Sequence, residues 1–453
     1  MNIVIVGDGK VGFELADTLT REGHDVTIVD NNQNALSRAD EALDVMCVSG
    51  NGANAHTLQE AGVDQADILI AVAAQDEINM VCSLMAKKLG AKYVIARIRD
   101  PGYTESLQLL QGEMGIDMVI NPERSAAYEI SRLFRYPFAV DVEPFAHGRV
   151  EMVGLRAEEK DPIVGVPLRE LSSKFPKVLY CVVEREGQPP IIPAGDFVIE
   201  PGDRLHVAGD LMNITQYFKK LKRNTNPVRS AMLIGGGHIS YYLARIVAGM
   251  GIDLRIIEQK GEKCHRLSEQ LEDVTIIHGD GTDHELLLGE NVHEMDALVC
   301  LTDRDEENLI AGLFGVRQGV GKVIVKVNRL NYLDLLKGMG IESVISPKRT
   351  TANAILRQVR AMENAQDAPI EKVHRVVGGQ VEALEFTATA GAPYLNVPIR
   401  SLRMTEGVLV AVLVRGRKII IPFGGDHIEA GDTVILMAKA SHITSLEDAL
   451  GKH

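Results

Sequence analysis

Over residues 1–137, short apolar runs at 3–6, 25–29, 44–48, 68–72, 93–97 and 118–120 alternate with longer stretches whose apolar positions recur at helical spacing. Strand-length runs separated by amphipathic segments predict βαβ units, hence a mostly parallel sheet with helices on both faces. From residue 138 the texture changes: Pro and Gly punctuate short alternating runs at 150–155, 178–183 and 204–207, as in a small strand-rich module. A polar linker at 222–227 follows, and then the βαβ pattern restarts. The expected division is 1–137, 138–223, 228–365 and 366–453, in the order large, small, large, small.

The chain repeats itself, which matters because missing an internal repeat mis-assigns a fold. Residues 3–9 are answered by 231–237, 48–52 by 277–281, and Asp76-Glu77-Ile78-Asn79 by Asp305-Glu306-Glu307-Asn308. Residues 120–124 and 192–203 are matched in the same order by 345–349 and 421–432. The expected fold class is α/β: two Rossmann-like, doubly wound parallel-sheet domains, each followed by a small α+β strand-rich module, in tandem duplication.

Gly7-Asp8-Gly9-Lys10-Val11-Gly12 satisfies G-x-G-x-x-G between a strand and an amphipathic helix. There the first glycine permits the tight turn, the second lets backbone approach a pyrophosphate, and the third packs helix on strand. The phosphates would rest on free N–H groups at the positive end of the helix. Asp30 closes the next strand, where an acid accepts ribose hydroxyls and repels a 2′-phosphate, so NAD or adenosine nucleotides fit better than NADP. The second copy reads Gly235-Gly236-Gly237-His238-Ile239-Ser240, with Glu258 as the acid. Serine in place of the third glycine loosens the packing without blocking the pocket. His238 is either a phosphate contact or a solvent-facing loop side chain.

The net charge of −14 argues against nucleic acid as main partner, because phosphate-backbone binding needs clustered Lys and Arg. The first residues lack the basic and small-residue features of a secretory signal, and no apolar run approaches membrane-spanning length. Five scattered cysteines without a C-x-x-C pair point to a reducing cytoplasm.

The two glycine loops, the Val72-Ala73-Ala74-Gln75-Asp76-Glu77-x-Asn79 segment and the duplication resemble the RCK (KTN, TrkA-N/TrkA-C) regulatory domains of bacterial potassium systems. The tandem arrangement across the whole chain is similar to the cytoplasmic regulatory subunit of Trk-type potassium uptake. The resemblance implies a non-enzyme that forms a ring, expected to be a homotetramer, peripheral on the inner face of the membrane. It implies a membrane-embedded Trk-type channel or transporter as partner, NAD(H) as cofactor and ATP/ADP as regulatory ligands. Matching positions at the first site are Gly7, Asp8, Gly9, Lys10, Val11, Asp30, Ala73, Ala74 and Arg97. At the second they are Gly235, Gly236, Gly237, His238, Ile239, Glu258, Asp280 and Lys326. Lys326 stands where the first half has Arg97, and a point charge replaces a bidentate fork there.

Small residues at 73 and 74 would leave room for ribose, or simply pack strand end on helix. Arg97, with Arg99 on the same face, would clamp a terminal phosphate or join a surface ion pair. Residues 122–135 and 347–360 read as amphipathic helices, either packed on the parent sheet or crossing to a neighbouring module. Lys219 to Arg223 read as a solvated helix end, or as a basic run lying near anionic lipid. A dehydrogenase is the rival reading, but it needs an acid/base, and His147, His206, His374 and His427 read as isolated surface or loop residues. A nucleotide-responsive transcription factor is disfavoured by the acidic balance.

Overall fold

The computed structural model describes residues 1–103, 106, 112–329, 332, 339–364, 370–376, 380–405, 407–439, 443, 446, 449 and 450. The first parallel sheet contains β1 (Asn2–Val6), β2 (Asp25–Asp30), β3 (Met46–Ser49), β4 (Ile68–Ala71), β5 (Tyr93–Arg97) and β6 (Met118–Ile120). Its order is β3-β2-β1-β4-β5-β6, which places a switch point between β1 and β4. In doubly wound sheets the ligand crevice lies outside the carboxyl ends of the strands at that point. Helices α1 (Lys10–Arg21), α2 (Gln33–Ala42), α3 (Ala55–Glu60) and α4 (Asp76–Leu89) connect these strands, and α5 (Pro122–Arg135) follows β6. Strands β1 and β4 are buried on both faces, which is why they read as unbroken apolar runs.

The first small module carries an antiparallel sheet ordered β7-β8-β10-β9, from β7 (Val142–Phe145), β8 (Val150–Arg156), β9 (Leu179–Glu184) and β10 (Arg204–Gly209). Helices α6 (Leu168–Lys174) and α7 (Leu211–Lys220) accompany it.

The second parallel sheet repeats the first as β13-β12-β11-β14-β15-β16. Its strands are β11 (Ser230–Ile234), β12 (Asp253–Glu258), β13 (Val274–His278), β14 (Ala297–Cys300), β15 (Lys322–Lys326) and β16 (Ser343–Ile345). The helices are α8 (His238–Val247), α9 (Gly261–Gln270), α10 (His284–Gly289), α11 (Asp305–Arg317) and α12 (Pro347–Asn364). The last sheet runs β17-β18-β21-β19-β20, from β17 (Ile370–Val376), β18 (Val381–Thr387), β19 (Val408–Arg415), β20 (Lys418–Ile420) and β21 (Thr433–Lys439).

The compact units do not follow the halves of the sequence. One unit comprises residues 1–131 and 229–359, so both parallel sheets belong to it. The other comprises 132–228 and 360–453, with both antiparallel sheets. In the first unit, Tyr242 on α8 donates to the Arg99 carbonyl at 2.9 Å and accepts from Asn121 Nδ2 at 2.9 Å, joining the second glycine-loop helix to the first sheet. In the second unit, Val150, Met152, Val182 and Ala208 share one core with Val381, Ala383, Val412, Ile435 and Met437.

Two sequence expectations are corrected in the small modules. His206 is not a surface residue: it is 2% exposed on β10, with Nε2 2.8 Å from Glu184 Oε1. The 219–223 run is not merely a solvated helix end, because Arg223 pairs with Asp161 at 2.7 Å and also with Glu158. Among the described residues no helix is long and apolar enough to cross a membrane.

Candidate functional site

β1 delivers Gly7 into the crevice with φ +109°, and a Cβ there would meet the Ala73 nitrogen at 2.7 Å. A side chain at Gly12 would collide with the Gly7 carbonyl, whereas one at Gly9 would meet open space. The loop is therefore tight below and open above. Gly9 is the N-cap of α1, and among the described residues no side chain caps that end. Its N–H groups remain available to an anion. Lys10 is exposed at the first helical position and Val11 is buried behind it.

Asp30 ends β2 with each carboxylate oxygen taking a backbone donor, Asp8 N at 2.6 Å and Asn32 N at 2.8 Å. It thus ties the glycine loop to the start of α2 while keeping lone pairs for a ribose. Asp8 is 3% exposed and neither of its oxygens finds a partner among the described residues. Burial first, then the neighbouring Asp30, push its carboxyl up to about 6, against the pull of Arg38.

The far edge is fastened by the Asp-Glu-x-Asn segment. Asn79 Oδ1 accepts from Ala73 N at 2.8 Å, and its Nδ2 donates to the carbonyls of Ala73 and Arg97 at 3.1 and 2.9 Å. Asp76 accepts from the backbone of Arg99 and Asp100, each at 2.8 Å, and Glu77 accepts from the Tyr103 hydroxyl at 2.7 Å. The segment is a clamp holding the ends of β4 and β5 in register. Arg97 donates to the Ala73 carbonyl at 2.9 Å, and its buried Nε has no partner among the described residues. Burial, followed by Arg99, lowers its affinity for the proton. Arg99 bonds the Ala74 carbonyl and pairs with Asp76 at 3.3 Å.

The second crevice repeats the clamp: Asn308 binds Thr302 and the Lys326 carbonyl, Asp305 binds the backbone of Asn328 and Arg329, and Glu306 accepts from Tyr332. Glu258, 7% exposed, accepts from Gly236 N and Lys260 N at 2.9 Å each, as Asp30 does in the first copy. A Cβ at Gly236 would stand 2.6 Å from a methyl of Leu267 and 3.1 Å from the Glu258 carboxylate, so a counterpart of Asp8 would have to displace Leu267. The longer acid and Leu267 fill that volume. Gly235 takes φ +102°, and Gly237 caps α8 without a side-chain bond among the described residues. Ser240 donates to the Gly235 carbonyl, so serine turns the tight approach made by Gly12 into a hydrogen bond. His238 is exposed at the helix start and Ile239 is buried. Asp280 lies two residues beyond β13, accepting from Thr282 and from Gln259 Nε2 at 3.1 Å.

The two far edges differ. Lys326, 7% exposed, has Nζ 3.1 Å from the carboxylate of Asp303, which stands at the position of Ala74 in the first half. Lys326, and less strongly Lys263 and His238, hold the Asp303 carboxyl below its ordinary range. The expected phosphate cation of the second site is therefore already paired.

Two glycine-loop cradles on parallel sheets, each followed in sequence by an antiparallel module, define a tandem dinucleotide-fold protein. The sequence matches the TrkA-N domain over residues 3–122 and 231–347, and the TrkA-C domain over 152–222 and 383–451. The chain belongs to this family of tandem TrkA-N/TrkA-C proteins. It is 34% identical to the Trk system potassium uptake protein TrkA homolog 1 of Methanosarcina mazei, over 99% of both chains. It is 31% identical to the Trk system potassium uptake protein TrkA of Vibrio alginolyticus, over 99% of this chain and 98% of the relative. Among solved structures, the GsuK channel bound to NAD aligns with TM-score 0.62 and 18% identity, over 97% of this chain and 77% of that one. GsuK bound to ADP aligns with TM-score 0.50 and 16% identity, over 79% and 69%. These structural likenesses are likenesses of fold.

The glycine loops and the two expected acids lie together, Asp30 bonded to Asp8 N and Glu258 to Gly236 N, and Asp303 stands beside Lys326 without having been expected there. The signal was present: aligning the repeats on Asp76 and Asp305 sets Asp303 against Ala74. The pairing of Asn121 and Tyr242 left no such trace.

Proposed function

We propose that the chain is a cytoplasmic, nucleotide-responsive regulatory subunit that docks on a membrane-embedded Trk-type potassium channel or transporter and gates it without catalysing a reaction. NAD(H), ATP and ADP are its ligands, and a homotetrameric ring is its working form. The observation that carries this reading is the pair of cradles, each joining open helix-start amides to an acid bonded into the loop. Family membership supplies the potassium system. The Asp-Glu-x-Asn clamps support a regulatory role, because they couple the strand ends lining the crevice to the turns beyond. Ligands shift an equilibrium only by their differential affinity for its states, and Arg97 is a group that ATP and ADP would contact differently.

The test is potassium flux into proteoliposomes holding the membrane partner, with and without this chain and with ATP or ADP. Nucleotide-dependent flux that requires the chain is expected. Flux indifferent to both refutes the reading, and sustained NADH consumption with carbonyl substrates would return it to the dehydrogenases.

A further inference from the structure

Superposing the repeats on their clamps isolates the positions where the two far edges diverge. Ala74 is answered by Asp303, Arg97 by Lys326 and Arg99 by Asn328. In the first crevice the strand-end cation is a guanidinium that spends one donor on the Ala73 carbonyl and keeps a buried Nε unpartnered among the described residues. In the second, the strand-end cation is an ammonium whose charge is met at 3.1 Å by Asp303, and the second guanidinium is replaced by the neutral Asn328. Asp303 itself reaches open solvent, its side chain 99% exposed, so a ligand crossing this edge meets a carboxylate.

Further charges lie nearby, Lys263 and His238 in the field of Asp303 among them, and do not reverse the contrast. Glu123 stands in the field of Arg97, and Lys348 occupies the matched position in the second half. Lys348, however, faces Lys10 and Arg97 as well as Lys326, so its charge is shared by both edges.

Resting on the nucleotide-binding reading above, we infer that the two cradles take different ligand classes, with Asp303 as the specificity-determining residue. The first takes adenine mononucleotides whose terminal phosphate ends at Arg97. The second takes a dinucleotide, whose distal half beyond the pyrophosphate is a ribose and a base and brings no free phosphate to the edge. With the pyrophosphate fixed at the helix start, the rest of either ligand must run out over the strand ends. A terminal phosphate there meets a guanidinium with donors left over in one crevice and an acid in the other. Asp303 is exposed and paired with Lys326, so its repulsion of a terminal phosphate is screened to about a few-fold in affinity, and its hold on Lys326 withholds the cation that would otherwise receive that phosphate. The oxidised nicotinamide ring is cationic and meets no such repulsion.

The experiment is calorimetric titration of the full chain, its Asp303→Ala variant and its Ala74→Asp variant, each with ATP and with NAD⁺. The intact chain is expected to take one tight ATP and one tight NAD⁺. Asp303→Ala should gain a second ATP site, at least about tenfold tighter than any second site of the parent, and Ala74→Asp should lose the tight one. Far-UV circular dichroism and the thermal unfolding transition, both expected to match the parent, report that each variant is folded. If the ratio of ATP to NAD⁺ affinity is the same in all three proteins, the division of labour is wrong although the sites stand. If neither nucleotide binds the parent, the cradle reading itself has failed.

Discussion

At Asp8 a carboxyl group lies 3% exposed beside Asp30, and burial with that like charge pushes it up to about 6. The folded chain therefore holds a proton that the unfolded chain, with an ordinary value of 3.8, has already released. Folding is disfavoured as pH climbs from about 4 through 6, and the penalty is complete above that. Replacing Asp8 with Asn removes the titration. Scanning calorimetry should show the Tm of Asp8→Asn rising relative to the parent between pH 4 and pH 7.5, whatever the constant offset of the amide. A difference that stays flat across that range would show that Asp8 is not held proton-rich. The motif announced Asp8 and Asp30 as residues, but spacing alone does not bring their side chains together. The burial that raises one of them is a property of the folded loop.

Among the elements, the crevice depends on Asn79, which holds three hydrogen bonds between the loop after β4 and the end of β5. Truncating it takes the side-chain partner from the Ala73 N–H and the Arg97 carbonyl, at about 1–3 kcal/mol apiece before relaxation, while the Ala73 carbonyl keeps Arg97 as a donor. Urea unfolding of Asn79→Ala is expected to show a loss of about 3 kcal/mol, and Asn308→Ala a similar one. A loss below about 0.5 kcal/mol, as for an exposed polar side chain, would mean the clamp carries no weight. The strands were legible because parallel strands buried on both faces must be apolar throughout, and the helices because their glycine-loop starts are fixed by geometry. His206 was misread because the apolar run legible around it, 204–207, is too short to decide which face is buried, whereas the strand spans Arg204–Gly209 and is buried from Leu205 onward. The clamp was legible as a motif but not as a mechanism, since its partners are main-chain atoms that every sequence has.

For the whole molecule, the sequence order of large and small modules hid the spatial grouping. Both antiparallel sheets contribute to one unit and pool their apolar faces, Met152, Val182 and Ala208 from one with Ala383, Val412 and Ile435 from the other. Apolar positions along a strand say that a face is covered, but not by which partner. A chain ending at residue 227 would leave its share of that core uncovered, and a patch of this kind does not stay in water alone. Sedimentation should find such a fragment self-associated or aggregated, and a stable monomer would show that the shared core is dispensable.

The serine at 240 and the acid at 303 are changes that a protein built from two identical copies could not have made at one crevice only. Every substitution there would appear twice, and a mutation that improved one pocket for its guest would spoil its twin. Joining the copies in one polypeptide removes that bond, so each cradle answers to its own stretch of gene. The two are free to drift toward separate tasks while the scaffold beneath them stays the same.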